Sequence, residues 1–395
     1  MKVAMLGWEF PPFIAGGLGL HCLELTRGLA RKNVAIDFYM PHMASIEGPL
    51  RVADSHSHLR IIEVESDPSM SPYGGRPGKY EESFNDAVSL YNRRLTKVFD
   101  SHDADVIHCH DWITVPAALE LRRRTHLPLV LTVHSTEFDR SAGLNPQPWI
   151  EDIERRGVRG ADRVIAVSRY TKGLLETTYG APPDRVIPVH NGVSFTRLSD
   201  GPDRDYDARR GTVLFLSRVS RQKGPLYFLQ AAERVLEVRP DARFVFAGEG
   251  HMLPECIEYA FERGIADRVK FTGFVPSENM AAFYAQNEIY VLPSVSEPFG
   301  ISILEAMAAG LPTIVSKTTG VGEALAHVLK ADYWDTDEMA DMILRLLDSP
   351  ALREELGRNG AKEAHKFSWD ATCRRTLEVY AGLLAERGKG MAVPA

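Results

Sequence analysis

The sequence predicts an α/β protein made of two doubly wound domains, each with a parallel sheet covered by helices. Short β-branched runs alternate with segments of helical period along the whole chain, as is typical of parallel sheets with helices on both faces. A polar, turn-rich segment over residues 198–211 separates two such series. At roughly 100 to 200 residues per domain, a chain of 395 residues suits this division. We expect the domains to span residues 1–195 and 196–369.

The first series starts with a strand and a helix. Leu18, Cys22, Leu25 and Leu29 form a stripe that predicts a helix packed on the sheet. Residues 43–79 are rich in Pro, Gly, Ser and His, which indicates an excursion from the alternation. The predicted strands of this half are residues 2–6, 34–40, 105–109, 128–133, 163–167 and 185–189.

The second series repeats the pattern, with predicted strands at residues 212–217, 243–247, 268–272, 288–292 and 312–315. The closing helix carries an apolar stripe of Trp369, Cys373, Leu377, Tyr380 and Leu384. Because this helix follows a helical segment rather than a strand, its stripe has no strand of its own to cover. We expect this helix, about residues 370–395, to pack back on the first domain.

Charge and composition exclude several classes of protein. The chain has 46 Lys plus Arg against 53 Asp plus Glu, so a general affinity for nucleic acid is not expected. Four separated cysteines without a Cys-x-x-Cys pair favour reduced thiols over a disulfide framework or a zinc knuckle. The N-terminal apolar stretch is too short for a signal peptide, and no run of 18 apolar residues occurs. We expect a cytoplasmic protein.

A glycine-rich loop follows the first predicted strand. Gly16, Gly17 and Gly19 lead into a helix N-terminus, where free backbone N–H groups and the helix dipole favour an anion. The alternative is that these glycines only make the turn. A dinucleotide fingerprint is matched in part, but Cys22 stands where its third glycine belongs.

A second glycine pair, Gly248 and Gly250, follows the strand at 243–247. It fails the same fingerprint because Leu253 holds the third position. A nicotinamide or flavin cofactor is therefore not predicted.

Polar side chains end two further strands of the first half. His134 follows the strand at 128–133, beyond whose carboxyl end ligands of open parallel sheets bind, so it is a candidate contact for a sugar or phosphate. His108 and His110, just before Asp111, share one face of a strand and could bind a metal ion. Since no third ligand is evident, structural or hydrogen-bonding roles are favoured, and we predict no metal site.

In the second half, Arg218 and Lys223 lie on a loop directly after the strand at 212–217. The loop could direct a guanidinium and an ammonium at one pair of phosphates. Considered alone, a solvated basic loop is the favoured alternative, because surface Arg and Lys are common.

Two carboxylates flank a predicted helix start. Pro298 forces Glu297 to be extended, so a helix should begin near Gly300, with Glu305 five residues further on. The stagger between the carboxylates, about 7.5 Å along the axis, favours separate hydroxyl-bearing partners over one acid and base pair.

In this order, the motifs resemble the GT-B glycosyltransferases of family 4, the retaining group that includes glycogen synthases and sucrose synthases. The resemblance spans nearly the whole chain, and only the combination of motifs makes it specific. The chain departs from the glycogen synthases at Ala15, where they typically carry lysine. The motifs are GWEFPPFIAGGLG (7–19), HDW (110–112), LTVHSTE (131–137), RVIAVSRYTK (163–172), HNGV (190–193), LSRVSRQKG (216–224), FAGEG (246–250), FTGFVP (271–276), EPFGISILEAMAAGLP (297–312) and FSWDATCRRTLEVYAGLL (367–384).

The resemblance implies two Rossmann-like domains facing a central cleft, and it assigns roles to the positions that match. Arg218 and Lys223 would hold the donor diphosphate, and Gly17 would contact a phosphate. His134 would lie at the reacting sugar, and the backbone near Val275 beside the nucleobase.

The same resemblance assigns the carboxylates. Glu305 would bind the ribose hydroxyls, and Glu297, with the backbone at Phe299 and Gly300, the donor sugar. His134, Glu297, Arg218 and Lys223 would take part in the chemical step. The remaining residues expected around the nucleotide sugar are Gly16, Asp111, Asn191, Gly248 and Ile301.

The implied reaction transfers a hexose, glucosyl first, from a UDP-, ADP- or GDP-linked sugar to a hydroxyl of a saccharide or other acceptor. No metal or cofactor is expected, because Arg218, Lys223 and the helix dipole at Gly300 can meet the charge that grows on the departing diphosphate. Since no nucleophile at the sugar is evident, we expect attack on the face from which the diphosphate leaves.

Two other functions stay open: a GT-B nucleotide-sugar isomerase or epimerase, and a non-catalytic binder of sugar nucleotides. Acceptor dependence separates all three. The sequence also leaves open the oligomeric state and a peripheral membrane contact through the basic cluster at residues 122–124, for which a solvated helix face is favoured.

Overall fold

The computed structural model describes residues 1–11, 16–42, 58–67, 82–194 and 211–388. Contacts divide the chain into two compact units. Unit 1 comprises Met1–Phe138, Asn145–Asn191 and the chain from Trp369 onward, and unit 2 comprises Asp139–Leu144 and Gly192–Ser368. Nearly all of the turn-rich segment at 198–211 lies outside the described residues.

Within the described residues, unit 1 contains a seven-stranded parallel sheet. Its strands are β1 Lys2–Leu6, β2 Ala35–Pro41, β3 Leu59–Val64, β4 Val106–His110, β5 Leu129–Val133, β6 Arg163–Ala166 and β7 Val186–Pro188. They are ordered β3-β2-β1-β4-β5-β6-β7, so the winding reverses at β1, between β2 and β4. In doubly wound sheets the ligand site lies at such a switch point, beyond the carboxyl ends of the strands.

The helices of the first half connect these strands. They are α1 Gly17–Arg31, α2 Glu82–Val98, α3 Asp111–Thr125, α4 Glu137–Arg140, α5 Pro148–Gly160 and α6 Arg169–Thr177. The stripe predicted on α1 is buried, with Cys22, Leu25 and Leu29 fully enclosed. Burial of one such leucine contributes about 1.5–3 kcal/mol, which explains why this segment is a helix against the sheet.

Unit 2 contains a six-stranded parallel sheet in the order β10-β9-β8-β11-β12-β13. The bounds of these strands are β8 Thr212–Leu216, β9 Arg243–Ala247, β10 Val269–Gly273, β11 Ile289–Leu292, β12 Thr313–Ser316 and β13 Leu329–Ala331. The helices are α7 Pro225–Val238, α8 Leu253–Glu262, α9 Met280–Ala285, α10 Ile301–Ala308, α11 Thr336–Asp348 and α12 Pro350–Ala364. This winding reverses at β8, between β9 and β11.

The closing helix, α13 Trp369–Glu386, belongs to unit 1 and packs against α1. Its Cys373 and Tyr380 are fully buried. A methyl group on Gly28 of α1 would lie 2.2 Å from the Cys373 sulfur, so the absence of a side chain at Gly28 permits the close approach of the two helices. None of the helices in the described part of the chain is long and apolar enough to cross a lipid bilayer.

The predicted fold class is confirmed, and the eleven predicted strands are present within one residue of their expected bounds. Two edge strands were not predicted. The first, β3, lies inside the segment at 43–79, where the charged Arg60 and Glu63 interrupt a short apolar run. The second, β13, has only three residues, too few for a period-two pattern to be visible.

Candidate functional site

The carboxyl ends of β1, β4 and β5 bring polar residues to one edge of the unit 1 sheet. Asp111 directly follows β4, adopts a left-handed backbone conformation with φ of 53°, and begins α3. Its Oδ1 accepts hydrogen bonds from the backbone N–H groups of His134, at 2.7 Å, and Ser135, at 3.4 Å. This carboxylate, expected among the ligand contacts, therefore fixes the backbone that carries His134.

Three histidines meet at this edge, and we call them the histidine cluster: His21 from α1, His110 at the end of β4 and His134 after β5. One ring nitrogen of each lies within 4.8 Å of one ring nitrogen of each of the other two. His110 Nδ1 is 3.1 Å from His134 Nε2, and the rings of His21 and His134 meet edge to face. His21 and His110 are buried, and His134 is partly exposed.

Burial keeps the cluster neutral near pH 7. Desolvation lowers the pKa of His21 to about 4, against a partial counter-effect of its hydrogen bond with Asn191. The pKa of His134 lies well below its usual value, first through burial and then through His21 and His108. The pKa of His110 is lowered in the same way. The cluster thus presents uncharged imidazoles to any ligand.

Asn191, expected near the nucleotide sugar, orients one ring of the cluster. Its Oδ1 is 2.8 Å from His21 Nδ1, and the residue is buried at the end of the Asn145–Asn191 segment of unit 1. Because an amide oxygen can only accept, His21 Nδ1 carries the proton. The ring of Trp369, the first residue of α13, packs edge to face on His21. The cluster is therefore held in place from two distant parts of the chain.

For His108, the structure agrees with the hydrogen-bonding role that the sequence favoured over a metal site. The rings of His108 and His110 do share a face of β4, with centroids 4.3 Å apart. However, His108 uses both ring nitrogens inside the core, towards Tyr380 Oη at 2.6 Å and Thr132 Oγ1 at 2.7 Å. The third member of the cluster is His21, which the sequence analysis missed although it lies three residues after Leu18 on the apolar stripe of α1.

The glycine loop before α1 is described from Gly16 onward, so Ala15 lies outside the described residues. Gly16 is the N-cap of α1, and Gly17 is its first residue. The backbone N–H of Gly19 donates to Oε2 of the buried Glu9, at 3.2 Å. A phosphate at Gly17 would thus share this helix end with a carboxylate, which the sequence analysis did not anticipate.

In unit 2, the loop after β8 carries Arg218, which is partly buried, and a 3₁₀ turn that contains Lys223. Lys223 Nζ lies 2.6 Å from Glu297 Oε2. Ser294 Oγ donates to the same carboxylate oxygen, at 3.3 Å. Two residues that were assigned to different parts of the donor, Lys223 to phosphate and Glu297 to sugar, therefore form an ion pair without it.

The helix start predicted near Gly300 is confirmed, because Gly300 is the N-cap of α10. Its φ of 105° is one that other residues rarely adopt, and as a glycine it provides no side chain to cap this helix. Glu297 is extended and forms a parallel bridge with Thr319. The carboxylate of Glu297 thus lies ahead of an N-terminus whose first N–H groups lack a side-chain cap.

Glu305 lies on α10, partly buried, and Tyr284 Oη donates to its Oε2 at 3.1 Å. Tyr284 is fully buried, and burial first, then the Glu305 charge, raises the pKa of this phenol well above its usual value. Tyr290, also buried, holds the same turn through Ser302 Oγ at 2.9 Å. Neither tyrosine was identified from the sequence, where both fit the apolar pattern of a core.

Glycines allow the loops of unit 2 to pack closely. A Cβ on Gly248 would lie 1.8 Å from the carbonyl oxygen of Ser217, and one on Gly224 would lie 1.9 Å from that of Pro293. Both glycines have positive φ. Gly248, expected at the nucleotide sugar, therefore allows its loop to lie against the loop that carries Arg218.

The remaining expected residues of unit 2 lie at the ends of its elements. Val275 is buried just after β10, next to the exposed Phe274. Phe299 is buried, and its backbone oxygen accepts from Val321 N–H. Ile301 is the first residue of α10.

The basic cluster at residues 122–124 has partners within the protein. Arg122 forms two hydrogen bonds with Asp162, and Arg123 two with Glu120. Arg124 donates to the backbone oxygen of Thr96. These contacts favour a solvated helix face.

Two family models match the chain. Residues 15–197 match "Glycosyltransferase Family 4", and residues 203–363 match "Glycosyl transferases group 1". An uncharacterized glycosyltransferase of Methanocaldococcus jannaschii is 30% identical over 96% of this chain and 98% of its own length. A D-inositol 3-phosphate glycosyltransferase of Thermomonospora curvata is 30% identical over 93% and 91%, respectively. A glycogen synthase of Mycobacterium tuberculosis is 26% identical over 100% and 97%.

Solved structures share the fold. Sucrose-phosphate synthase from Thermosynechococcus elongatus superposes with a TM-score of 0.82 at 22% identity, covering 98% of this chain and 99% of its own. Anabaena HepE in complex with UDP and glucose gives 0.73 at 16%, covering 97% and 100%. The catalytic domain of starch synthase IV from Arabidopsis thaliana, bound to ADP and acarbose, gives 0.73 at 17%, covering 97% and 99%. The resemblance seen in the motifs is confirmed: the chain is an enzyme and belongs to the family 4 glycosyltransferases of the GT-B fold.

Proposed function

We propose that the enzyme transfers a hexosyl group, glucosyl in the first instance, from a nucleoside diphosphate sugar to a saccharide hydroxyl, with retention of anomeric configuration. Solved structures of the same fold hold UDP with glucose, or ADP with acarbose, which supports a uridine or adenosine diphosphate donor and a saccharide acceptor. A GDP-linked donor is the third candidate.

The observation that carries the proposal is the ion pair of Lys223 with Glu297 ahead of the uncapped N-terminus of α10. A diphosphate joined to a sugar can contact all three groups: the Lys223 ammonium, the Glu297 carboxylate and the N-terminus of α10. Its phosphate oxygens can accept from the Lys223 ammonium and from backbone N–H groups at the helix N-terminus. A sugar hydroxyl can then donate to the Glu297 carboxylate. Donor binding thus replaces one anionic partner of Lys223 with another.

Glu305 suits the ribose of the donor. It lies on α10, whereas Glu297 precedes the helix, and Tyr284 Oη donates a hydrogen bond to one of its carboxylate oxygens. A fixed carboxylate can accept hydrogen bonds from both hydroxyls of a ribose, in the ground state and the transition state alike. Its contribution should therefore appear mainly in the affinity for the nucleotide.

His134 would contact the donor sugar as a neutral imidazole, while Asp111 holds its backbone. In the transfer step, the bond between the anomeric carbon and the β-phosphate oxygen breaks with its electrons moving to the phosphate. The acceptor oxygen forms the new bond on the same face, and its proton passes to the departing phosphate. Arg218 and Lys223 stabilise the charge that develops on the diphosphate.

Calorimetry with UDP and ADP, paired with turnover of the intact donors, tests these roles. Glu305→Gln should weaken diphosphate binding by about 1–3 kcal/mol, or roughly 5- to 150-fold. His134→Ala should leave that affinity unchanged and reduce turnover by about tenfold or more, the equivalent of one hydrogen bond made in the transition state.

His102→Ala is the matched control, because His102 is an exposed histidine of the same unit and should change neither quantity. Loss of diphosphate affinity in His134→Ala, with Glu305→Gln unaffected, would contradict the assignment. Conversion of a nucleotide sugar into its isomer without acceptor and without release of diphosphate would favour the isomerase instead.

A further inference from the structure

We propose that the histidine cluster, His21, His110 and His134, binds one divalent transition metal ion of the zinc type. Imidazole nitrogen is a preferred ligand of such ions, and three protein ligands with an open fourth position are a common arrangement. One nitrogen from each ring already lies within 4.8 Å of the others. The proposed transfer routes no step through a metal ion, so ion binding would be a further property of these residues.

His21 is oriented as a metal ligand usually is. Metal-binding histidines commonly donate their other ring N–H to an oxygen atom, which fixes the tautomer. Here Nδ1–H donates to Asn191 Oδ1 at 2.8 Å, which leaves the lone pair on Nε2. That Nε2 is buried, and among the residues described it has no hydrogen-bond partner. An unsatisfied buried nitrogen costs free energy that a metal ion would recover.

His110 and His134 already approach the spacing of ligand atoms. Zn–N bonds of about 2.0–2.1 Å in a tetrahedral site place the nitrogens about 3.3 Å apart. His110 Nδ1 and His134 Nε2 are 3.1 Å apart and share one proton as a hydrogen bond. When an ion takes both lone pairs, that proton moves to the other nitrogen of its own ring. For His110 this is Nε2, which is buried and otherwise unpartnered within the described chain.

The site rests on rigid parts of the fold, as a preorganised metal site requires. His21 is held on α1 between Asn191 and Trp369, and His110 ends the central strand β4. The adjacent His108 is not a ligand, because Tyr380 and Thr132 occupy both of its nitrogens. His134 is partly exposed, which gives an ion access from solvent.

One consequence rests on the proposed function. If His134 contacts the donor sugar, an ion bound to that ring excludes the sugar while leaving the nucleotide contacts of unit 2 intact. Zinc should then inhibit transfer without lowering the affinity for UDP. Metal binding itself is measured without turnover, so it stands or falls independently of the reaction.

The test is a titration of the tag-free chain with Co²⁺, followed by visible absorption, with Zn²⁺ as the competitor. We expect one Co²⁺ per chain, an intense band of low-coordinate cobalt, and its loss when zinc is added. His21→Gln and His134→Gln should each weaken binding at least tenfold. His102→Gln, which removes an exposed histidine, should bind as the wild type does.

Binding that survives in both cluster variants, or that His102→Gln also weakens, would overturn the proposal. So would the absence of a cobalt band. Circular dichroism and the melting temperature of each variant show whether unit 1, which carries the cluster, is folded. If the buried variants fail to fold, X-ray absorption of the zinc-loaded wild type decides instead: three imidazole ligands support the site, and fewer than three contradict it.

Discussion

Lys223 and Glu297 are both largely buried, with side-chain exposures of 16% and 7%. Removal of one partner from such a pair leaves an unpaired buried charge, which costs about 3–5 kcal/mol, whereas replacement of both by uncharged groups can be nearly neutral. The Lys223 ammonium therefore requires an anionic partner, and the donor diphosphate can replace Glu297 in that role.

Glu297→Gln should lower the free energy of unfolding by about 3 kcal/mol, because Lys223 then lacks its carboxylate. UDP should recover part of this loss and raise the melting temperature more in the variant than in the wild type. Urea unfolding and melting curves with and without UDP measure both effects. The double variant Lys223→Met with Glu297→Gln is the control, and it should be more stable than Glu297→Gln alone. Equal UDP stabilisation of wild type and Glu297→Gln would contradict this role.

His21 makes the stability of the protein depend on pH. Its folded-state pKa of about 4 lies below the value of 6.5 for an ordinary histidine, so the unfolded chain binds more protons between these pH values. The contribution is fully present above about pH 6.5 and is lost as the pH falls towards 4. Between pH 7 and pH 5 the loss should be about 2 kcal/mol.

Urea unfolding at pH 7 and pH 5 measures this loss, and His21→Gln isolates it because glutamine does not titrate. The wild type should lose about 2 kcal/mol more than the variant over this interval. The same pH dependence in both proteins would show that His21 is not buried as a neutral ring.

At the scale of elements, the loops that follow the strands of unit 2 depend on glycines at positive φ. Gly224 links the turn of Lys223 to α7, with φ of 65° and no room for a Cβ beside the Pro293 carbonyl. By contrast, Gly382 lies in α13, and no heavy atom lies within 4 Å of the Cβ position, so alanine fits there. The two glycines have opposite consequences for substitution.

Gly224→Ala should lower the free energy of unfolding by more than about 2 kcal/mol, since both the backbone conformation and the contact become unfavourable. It should also weaken UDP binding, because it displaces Lys223. Gly382→Ala should raise stability by about 0.5–1 kcal/mol through its helix propensity. Denaturant unfolding of the two variants checks both signs, and a destabilised Gly382→Ala beside a neutral Gly224→Ala would refute the argument.

Local patterns were enough to predict eleven of the strands, the start of α10 and the positions of Glu297 and Glu305 relative to it, but not the edge strands β3 and β13. Each of the predicted features depends on residues that are close in sequence, such as Pro298 before Gly300. The tyrosines that support Glu305 could not be predicted in the same way. Tyr284 and Tyr290 fit the apolar pattern of a core, and only the packed structure shows where their hydroxyl groups point.

At the scale of the whole molecule, the histidine cluster is assembled from distant parts of unit 1. His21 and Asn191 are 170 residues apart in sequence, and Trp369 comes from the far end of the chain. No spacing rule connects them, because the order of the strands in the sheet, rather than the sequence, makes them neighbours. His21, the third ring of the cluster, is also far in sequence from His110 and His134, which explains why it was not predicted.

Transfer of a sugar from a nucleoside diphosphate to an acceptor hydroxyl is the reaction proposed for this enzyme. Its most direct test is the release of diphosphate across a panel of UDP-, ADP- and GDP-linked hexoses, each with and without saccharide acceptors. We predict release that requires one donor and one acceptor together, with a new glycoside of unchanged anomeric configuration by NMR. Donor consumption that is independent of every acceptor, or a glycoside of inverted configuration, would contradict the account.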